Sequence, residues 1–185
     1  NNNNAVASRQ WQQSDNGAAP VYNANNQQQQ YPTSTIDQIL PRLYISDDIA
    51  ARNKRLLDEK KITHILNLTT NIPNKFEPDI TYMKLNIFDF ENQNIDQYFD
   101  SAFQFIENAF KEPKNSVLVH CNAGISRSSS FIIAYLMLKQ IHPKYKDALE
   151  YVRKRRPIIN PNKGFERQLI NLESRVKRKG ICVIM

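Results

Sequence analysis

From about residue 36 onward the apolar positions take turns between two textures. Short runs of strand type alternate with stretches in which apolar residues recur every three to four positions. Residues 39–46, 64–69 (HILNLT), 80–87 (ITYMKLNI) and 116–120 (SVLVH) read as strands. The last has an apolar core with no polar alternation, which suits a central strand covered on both faces. A helix is expected to about residue 60, capped by Asp47 or Asp48, with Ile49, Leu56 and Leu57 inward. Another is expected over 95–111, where Phe99, Ala102, Phe103, Ile106 and Phe110 share one face. Residues 126–140 are apolar nearly all round, so that helix belongs in the middle of a domain. Two further helices are expected, over 144–156, stopped by Pro157, and over 162–179. The alternation argues for a single α/β domain over about 35–175.

Composition changes this picture at the ends. Of 185 residues, the first 30 hold eight Asn and seven Gln, with Arg9 and Asp15 as the only charges. Such a stretch cannot bury enough surface to offset its conformational entropy, so 1–34 is expected to be disordered, either a plain polar tract or an interaction segment. Residues 139–185 carry a net charge of +9 and the rest −2. One source of this is a solvated helix end at Arg153–Arg156, where cations complement the helix dipole. The alternative is attraction to an anionic membrane or an acidic phosphoprotein, with nucleic acid the weaker reading.

Two cysteines and three scattered histidines form neither a disulfide framework nor a zinc site, and the four glycines form no nucleotide loop. No metal and no cofactor are expected. The longest apolar run, 131–138, is far short of a membrane span, and no signal sequence is expected in the opening residues.

The sharpest local signal lies where the apolar strand meets the apolar helix: His120-Cys121-Asn122-Ala123-Gly124-Ile125-Ser126-Arg127-Ser128. A turn here, closed by a helix starting near Arg127, aims several backbone N–H groups at one spot and forms an anion cradle. The same field favours the thiolate of Cys121. Arg127 can hold two phosphate oxygens with its planar fork. Cys121 then faces a bound phosphorus atom as a nucleophile.

HCNAGISRS resembles the HCxxGxxRS signature of the cysteine-dependent protein phosphatases, and the SRS ending followed by AYLM is similar to the dual-specificity branch. LPRLYISD, ITHILNLT and NPNKGF extend the resemblance over about 36–175, with no counterpart of the longer insertions of the tyrosine-specific enzymes. The resemblance, to a small atypical member, implies a central, mostly parallel sheet of about five strands with helices on both faces. It implies hydrolysis of phosphotyrosine and of phosphoserine or phosphothreonine through a phosphocysteine. Asp89 occupies the place of the family's general acid, with Glu91 and Asp96 as nearby rivals. The amides of Asn122, Ala123, Gly124, Ile125 and Ser126 would bind the phosphoryl oxygens, Ser128 would stabilise the departing thiolate, and His120 would orient the loop. Uncharged Asn122, Ala123, Ile125 and Ser126 favour a phosphoprotein, a kinase among the candidates, over an inositol headgroup. The alternatives are a catalytically weak phosphoprotein-binding module and a phosphatase of non-protein esters.

The chain closes on Cys182-Val183-Ile184-Met185, the prenylation pattern, after a polybasic run at 175–179. A lipid chain plus a basic patch holds a protein at a membrane. Residues 176–185 are therefore expected to tether the enzyme to the cytosolic face of a membrane through Cys182, and a reducing cytosol suits both cysteines.

Overall fold

The computed structural model describes residues 34–181, with side chains to Arg175. The Asn/Gln-rich stretch up to residue 33 and Cys182 with its aliphatic ending lie outside the described residues.

A single α/β domain is built on one five-stranded mixed sheet, in the order β1-β2-β5-β3-β4. The run expected as one strand over 39–46 is a hairpin, β1 (Ile36–Leu40) and β2 (Leu43–Ser46), paired antiparallel. Pro41 cannot donate to a ladder, and Arg42 turns the chain with a φ of 66°. The Arg42 guanidinium secures the turn by donating to the Glu112 carbonyl at 3.0 Å and lying 4.7 Å from the centre of the Phe110 ring. The helix expected to about residue 60 is also two pieces, α1 (Asp48–Ala51) and α2 (Lys54–Glu59). Asp47 caps the first through the Ala50 N–H at 2.8 Å, and Asn53 interrupts the run to cap the second. This break leaves Ile49 exposed rather than inward, while Leu57 is fully buried as expected.

Strands β3 (His64–Asn67), β4 (Thr81–Lys84) and β5 (Val117–His120) run parallel to β2. Ser46, His120 and Asn67 stand side by side in register, so three strands end together. Alternation along each strand divides the core between the faces. Val117 and Val119 join Leu43, Ile45 and Leu66 on one face, and Leu118 joins Ile65, Leu57 and Ala50 on the other. The first face is covered by α3 (Phe99–Phe110), entered through a 3-10 turn at Asp96–Tyr98, by α4 (Arg127–Leu138), by α5 (Tyr145–Arg155) and by α6 (Lys163–Ile181).

Helix α4 is buried along Arg127–Met137, the position its all-round apolar pattern predicts. Phe131 meets Phe99 edge-on at 5.2 Å, and Tyr135 meets Phe103 at 5.4 Å. Its polar residues, Ser129 and Ser130, spend their hydroxyls on the carbonyls of Ile125 and Ser126. That bonding ties the first turn of α4 to the loop before it.

Candidate active site

Parallel sheets place their crevices beyond the carboxyl ends of the strands. Here β5 ends at His120, and the chain makes a tight loop over 121–126 before α4 begins. The loop's carbonyls are all turned outward onto the scaffold. The Asn122 carbonyl accepts from the Asp48 N–H at 3.0 Å, and the Ile125 carbonyl from the Asn160 N–H at 3.0 Å. Arg156 donates from Nε to the Gly124 carbonyl at 2.8 Å and from Nη2 to the Ala123 carbonyl at 3.4 Å. The Ser126 carbonyl accepts from the N–H and hydroxyl of Ser130. With the carbonyls taken by the scaffold, the N–H groups of the loop are the ones free to serve its centre, at the N-terminus of a long buried helix. Gly124 makes the turn possible: its φ is +66°, and a Cβ there would lie 2.7 Å from the Ser46 carbonyl oxygen.

Cys121 is buried at the loop's base, with its Sγ 3.3 Å from Ser128 Oγ. Arg127 is buried beside it. Its Nη1 donates to the carbonyls of Ile87 at 3.2 Å and Leu68 at 3.4 Å, and its Nη2 to Asn122 Oδ1 at 3.0 Å. Nε alone is buried without a hydrogen-bond partner. It lies 3.5 Å from Asp89 Oδ2, an ion-pair separation outside hydrogen-bond geometry. A buried guanidinium N–H left open beside inward-facing amides is an anion site.

Asp89 reaches this site from the segment between β4 and α3. Its Oδ1 accepts from Ser126 Oγ at 2.6 Å and from Asn162 Nδ2 at 2.8 Å. The rivals are turned elsewhere, Glu91 paired with Arg167 and Asp96 with Arg175. The acid segment is pinned to the start of α6. Ile95 N–H donates to Gln168 Oε1 at 2.8 Å, and Gln168 Nε2 donates to the Gln93 carbonyl at 2.9 Å. Gly164 packs so closely on Glu91 that a Cβ would overlap its carbonyl.

His120 sits behind the loop with Nδ1 3.3 Å from the Cys121 carbonyl oxygen. A carbonyl can only accept, so Nδ1 carries the proton. Burial pushes the imidazole down to about 4, partly opposed by that hydrogen bond and by Asp48 and Asp47. It is therefore neutral at physiological pH, and its contact is with loop backbone.

Two residues of this constellation go beyond the expected set. Arg156 is not part of a solvated helix end. It is buried, bonded through Nη1 to Asp37 Oδ2 at 2.6 Å, and it holds the back of the 121–126 loop. Nothing in the run Arg153-Lys154-Arg155-Arg156 separates its last member from the first three, beyond its place before Pro157. Asn162 stands in the NPNKGF motif without an assigned part. It caps α6 through the Phe165 N–H and joins Asp89 to Ser126, whose Oγ also accepts from its N–H.

Residues 43–175 match the family model described as dual specificity phosphatase, catalytic domain. The chain belongs to that family. It is 42% identical over 139 residues to a probable dual specificity protein phosphatase of Dictyostelium discoideum, covering 75% of this chain and 63% of the relative. Human dual specificity protein phosphatase 4 is 40% identical over 139 residues, which is 75% of this chain and 35% of that protein. The chain thus spans about a third of the length of the human relative. Among solved structures, the human tyrosine phosphatase-like serine/threonine/tyrosine-interacting protein superposes with a TM-score of 0.69 at 37% identity, over 76% of this chain and 96% of that one. The family explains why Cys121, Arg127 and the loop between them are built as one unit. Arg156 and Asn162 are the supports this dual specificity phosphatase domain gives that unit.

Proposed function

We infer that the protein is a phosphatase that hydrolyses phosphotyrosine and phosphoserine or phosphothreonine on proteins, through a phosphocysteine on Cys121. The observation that carries this reading is the buried Cys121 sulfur at the floor of a loop whose carbonyls all face outward, beside the open Nε of Arg127.

In the first step Cys121 Sγ attacks phosphorus, the P–O bond to the substrate side chain breaks, and Asp89 gives its proton to the departing oxygen. Asp89 Oδ2 is suited to this: a phosphoryl oxygen that takes Arg127 Nε comes next to it. In the second step water attacks phosphorus while its proton passes to Asp89. The P–S bond breaks, and the thiolate accepts a hydrogen bond from Ser128 Oγ. Arg127 and the amides of Asn122, Ala123, Gly124, Ile125 and Ser126 hold the equatorial oxygens in both steps. His120 orients the loop through the Cys121 carbonyl and transfers no proton.

Asp89→Asn tests the acid. Its kcat on a phosphotyrosine or phosphoserine peptide is expected to fall roughly 10²–10⁴-fold with little change in binding. On p-nitrophenyl phosphate, whose leaving group needs little protonation, the loss is expected to be much smaller. An equal loss on both substrates would contradict the assignment.

The uncharged side chains of the loop support a protein substrate over a polyanionic headgroup. The membrane tether belongs to the same proposal, with Cys182 prenylated and the basic residues at 175–179 holding the enzyme to a cytosolic leaflet. Cells expressing the full chain and fed a labelled isoprenoid are expected to label wild type and not Cys182→Ser. Equal labelling of both, or of neither, contradicts the tether.

A further inference from the structure

Asp89 is flanked by two aromatic residues that the chemistry above does not use. Phe88 is 50% exposed and Phe90 is 62% exposed, and their rings lie parallel, 2° apart in plane, with centroids at 5.8 Å. The other large exposed apolar side chains among the described residues are the isoleucines at 49, 141, 158 and 170. The stacking itself puts Phe88 and Phe90 on one side of the irregular segment between buried Ile87 and the Phe90–Gln93 turn. Asp89 is turned in to Ser126 and Asn162, so the two rings stand together on the outer side of the acid segment.

This ledge is fixed. Ile87 and Ile95 anchor the segment in the core, and Gln168, Asn162 and Arg167 bind it from α6. The rings are therefore not the underside of a flap waiting to fold onto its own domain. A stacked pair of half-exposed phenyl rings is a large apolar surface held in water, and covering it is favourable for any apolar partner that arrives there. The surface is continuous with the reaction site, since the residue between the rings is the proposed proton donor. A small phosphate ester seated on Arg127 is too short to cross the acid segment. An extended polypeptide is long enough to cross it: at roughly 3.3 Å per residue, side chains about two to four positions from the phosphorylated one can reach the outer side.

We propose that Phe88 and Phe90 form a specificity ledge that receives an apolar side chain of the substrate protein, a few residues from its phosphorylated position. The inference rests on the protein-phosphatase reading above and narrows its substrate class to phosphorylated segments with a nearby Leu, Met, Phe or comparable residue.

The test uses pairs of phosphotyrosine peptides that differ only in carrying Leu or Ser at two to four positions on either side of the phosphoresidue. For the full chain, kcat/KM is expected to favour the Leu peptide at the best position by about tenfold, a difference of ~1.4 kcal/mol. In the double variant Phe88→Ser/Phe90→Ser that ratio is expected to fall close to one, and in Phe88→Leu/Phe90→Leu to be largely kept. Both peptides use the same Cys121, Asp89 and Arg127, so any damage to the chemistry divides out of the ratio. A wild-type ratio near one at every position, or a ratio unmoved in the serine variant, overturns the ledge while leaving the phosphatase reading intact. Turnover of p-nitrophenyl phosphate without turnover of any peptide overturns the protein-substrate reading, and the ledge with it.

Discussion

Cys121→Ser is expected to lower turnover of a phosphotyrosine peptide by at least about 10⁴-fold while its affinity for the peptide stays within a few-fold of wild type. The serine oxygen would occupy the same buried place at the floor of the loop, so the amides and Arg127 proposed to bind the phosphate are untouched. What is lost is an atom that is an effective nucleophile without a partner to deprotonate it. A hydroxyl needs a general base within hydrogen-bond reach, and the surroundings supply none. Asp89 is held by Ser126 and Asn162, and His120 presents its protonated Nδ1 to the Cys121 carbonyl. Ser128 Oγ, 3.3 Å away, is a hydroxyl itself. Steady-state assays give the rate, and calorimetric titration of the variant with the intact phosphopeptide gives the affinity. Residual turnover within a hundredfold of wild type would mean that the sulfur is not the nucleophile.

Arg156→Met is expected to cost about 3 kcal/mol of folding stability, read as a lower urea midpoint with an unchanged m-value. The guanidinium is buried and satisfies the Gly124 carbonyl, the Ala123 carbonyl and Asp37 at once, with Asp47 Oδ2 at 3.9 Å. Removing it leaves a largely buried carboxylate without its ion-pair partner, held among the described residues only by the Thr35 hydroxyl, and two carbonyls unpaired. The estimate sits at the low end for a broken buried pair because the Asp37 side chain keeps 24% exposure. Activity is expected to suffer separately, by roughly 10–100-fold in kcat where the variant is still folded, because the outward pull on the carbonyls is what turns the loop amides inward. Arg156→Lys keeps the charge without the fork and should recover part of the stability but little of the rate. Wild-type stability and rate in the methionine variant would show that the loop holds its shape without this residue.

How much of this was legible in the sequence depended on the range of the interaction that decided each feature. Helix α4 and strand β5 are readable because burial on all sides leaves an all-round apolar pattern, and the tight loop between them because its strand, glycine and arginine are adjacent in the chain. The hairpin at Pro41 and the break at Asn53 were missed by pattern alone. Each interrupts an otherwise continuous run with a single turn or cap residue, while the expected alternation continues on either side. Asp89 is placed by resemblance, and the sequence holds no mark of where its rivals point, because Glu91 and Asp96 pair with Arg167 and Arg175, more than 70 residues away. Arg156 was hidden for the same reason. Its partners, Asp37 and Gly124, come from the first strand and the phosphate loop, and a run of four basic residues carries no mark of which one turns inward.

The most direct test of the account is rapid-quench mass spectrometry of the enzyme during turnover of a phosphotyrosine peptide, with acid quench and digestion under conditions that preserve a thiophosphate. A transient phosphoryl group is expected on the peptide containing Cys121, formed at the rate of tyrosine release; with p-nitrophenyl phosphate, whose leaving group needs little protonation, it is expected to accumulate further in Asp89→Asn, where water activation is slowed. Turnover with no phosphoryl group at Cys121 at any time, or with the group on another residue, would contradict it.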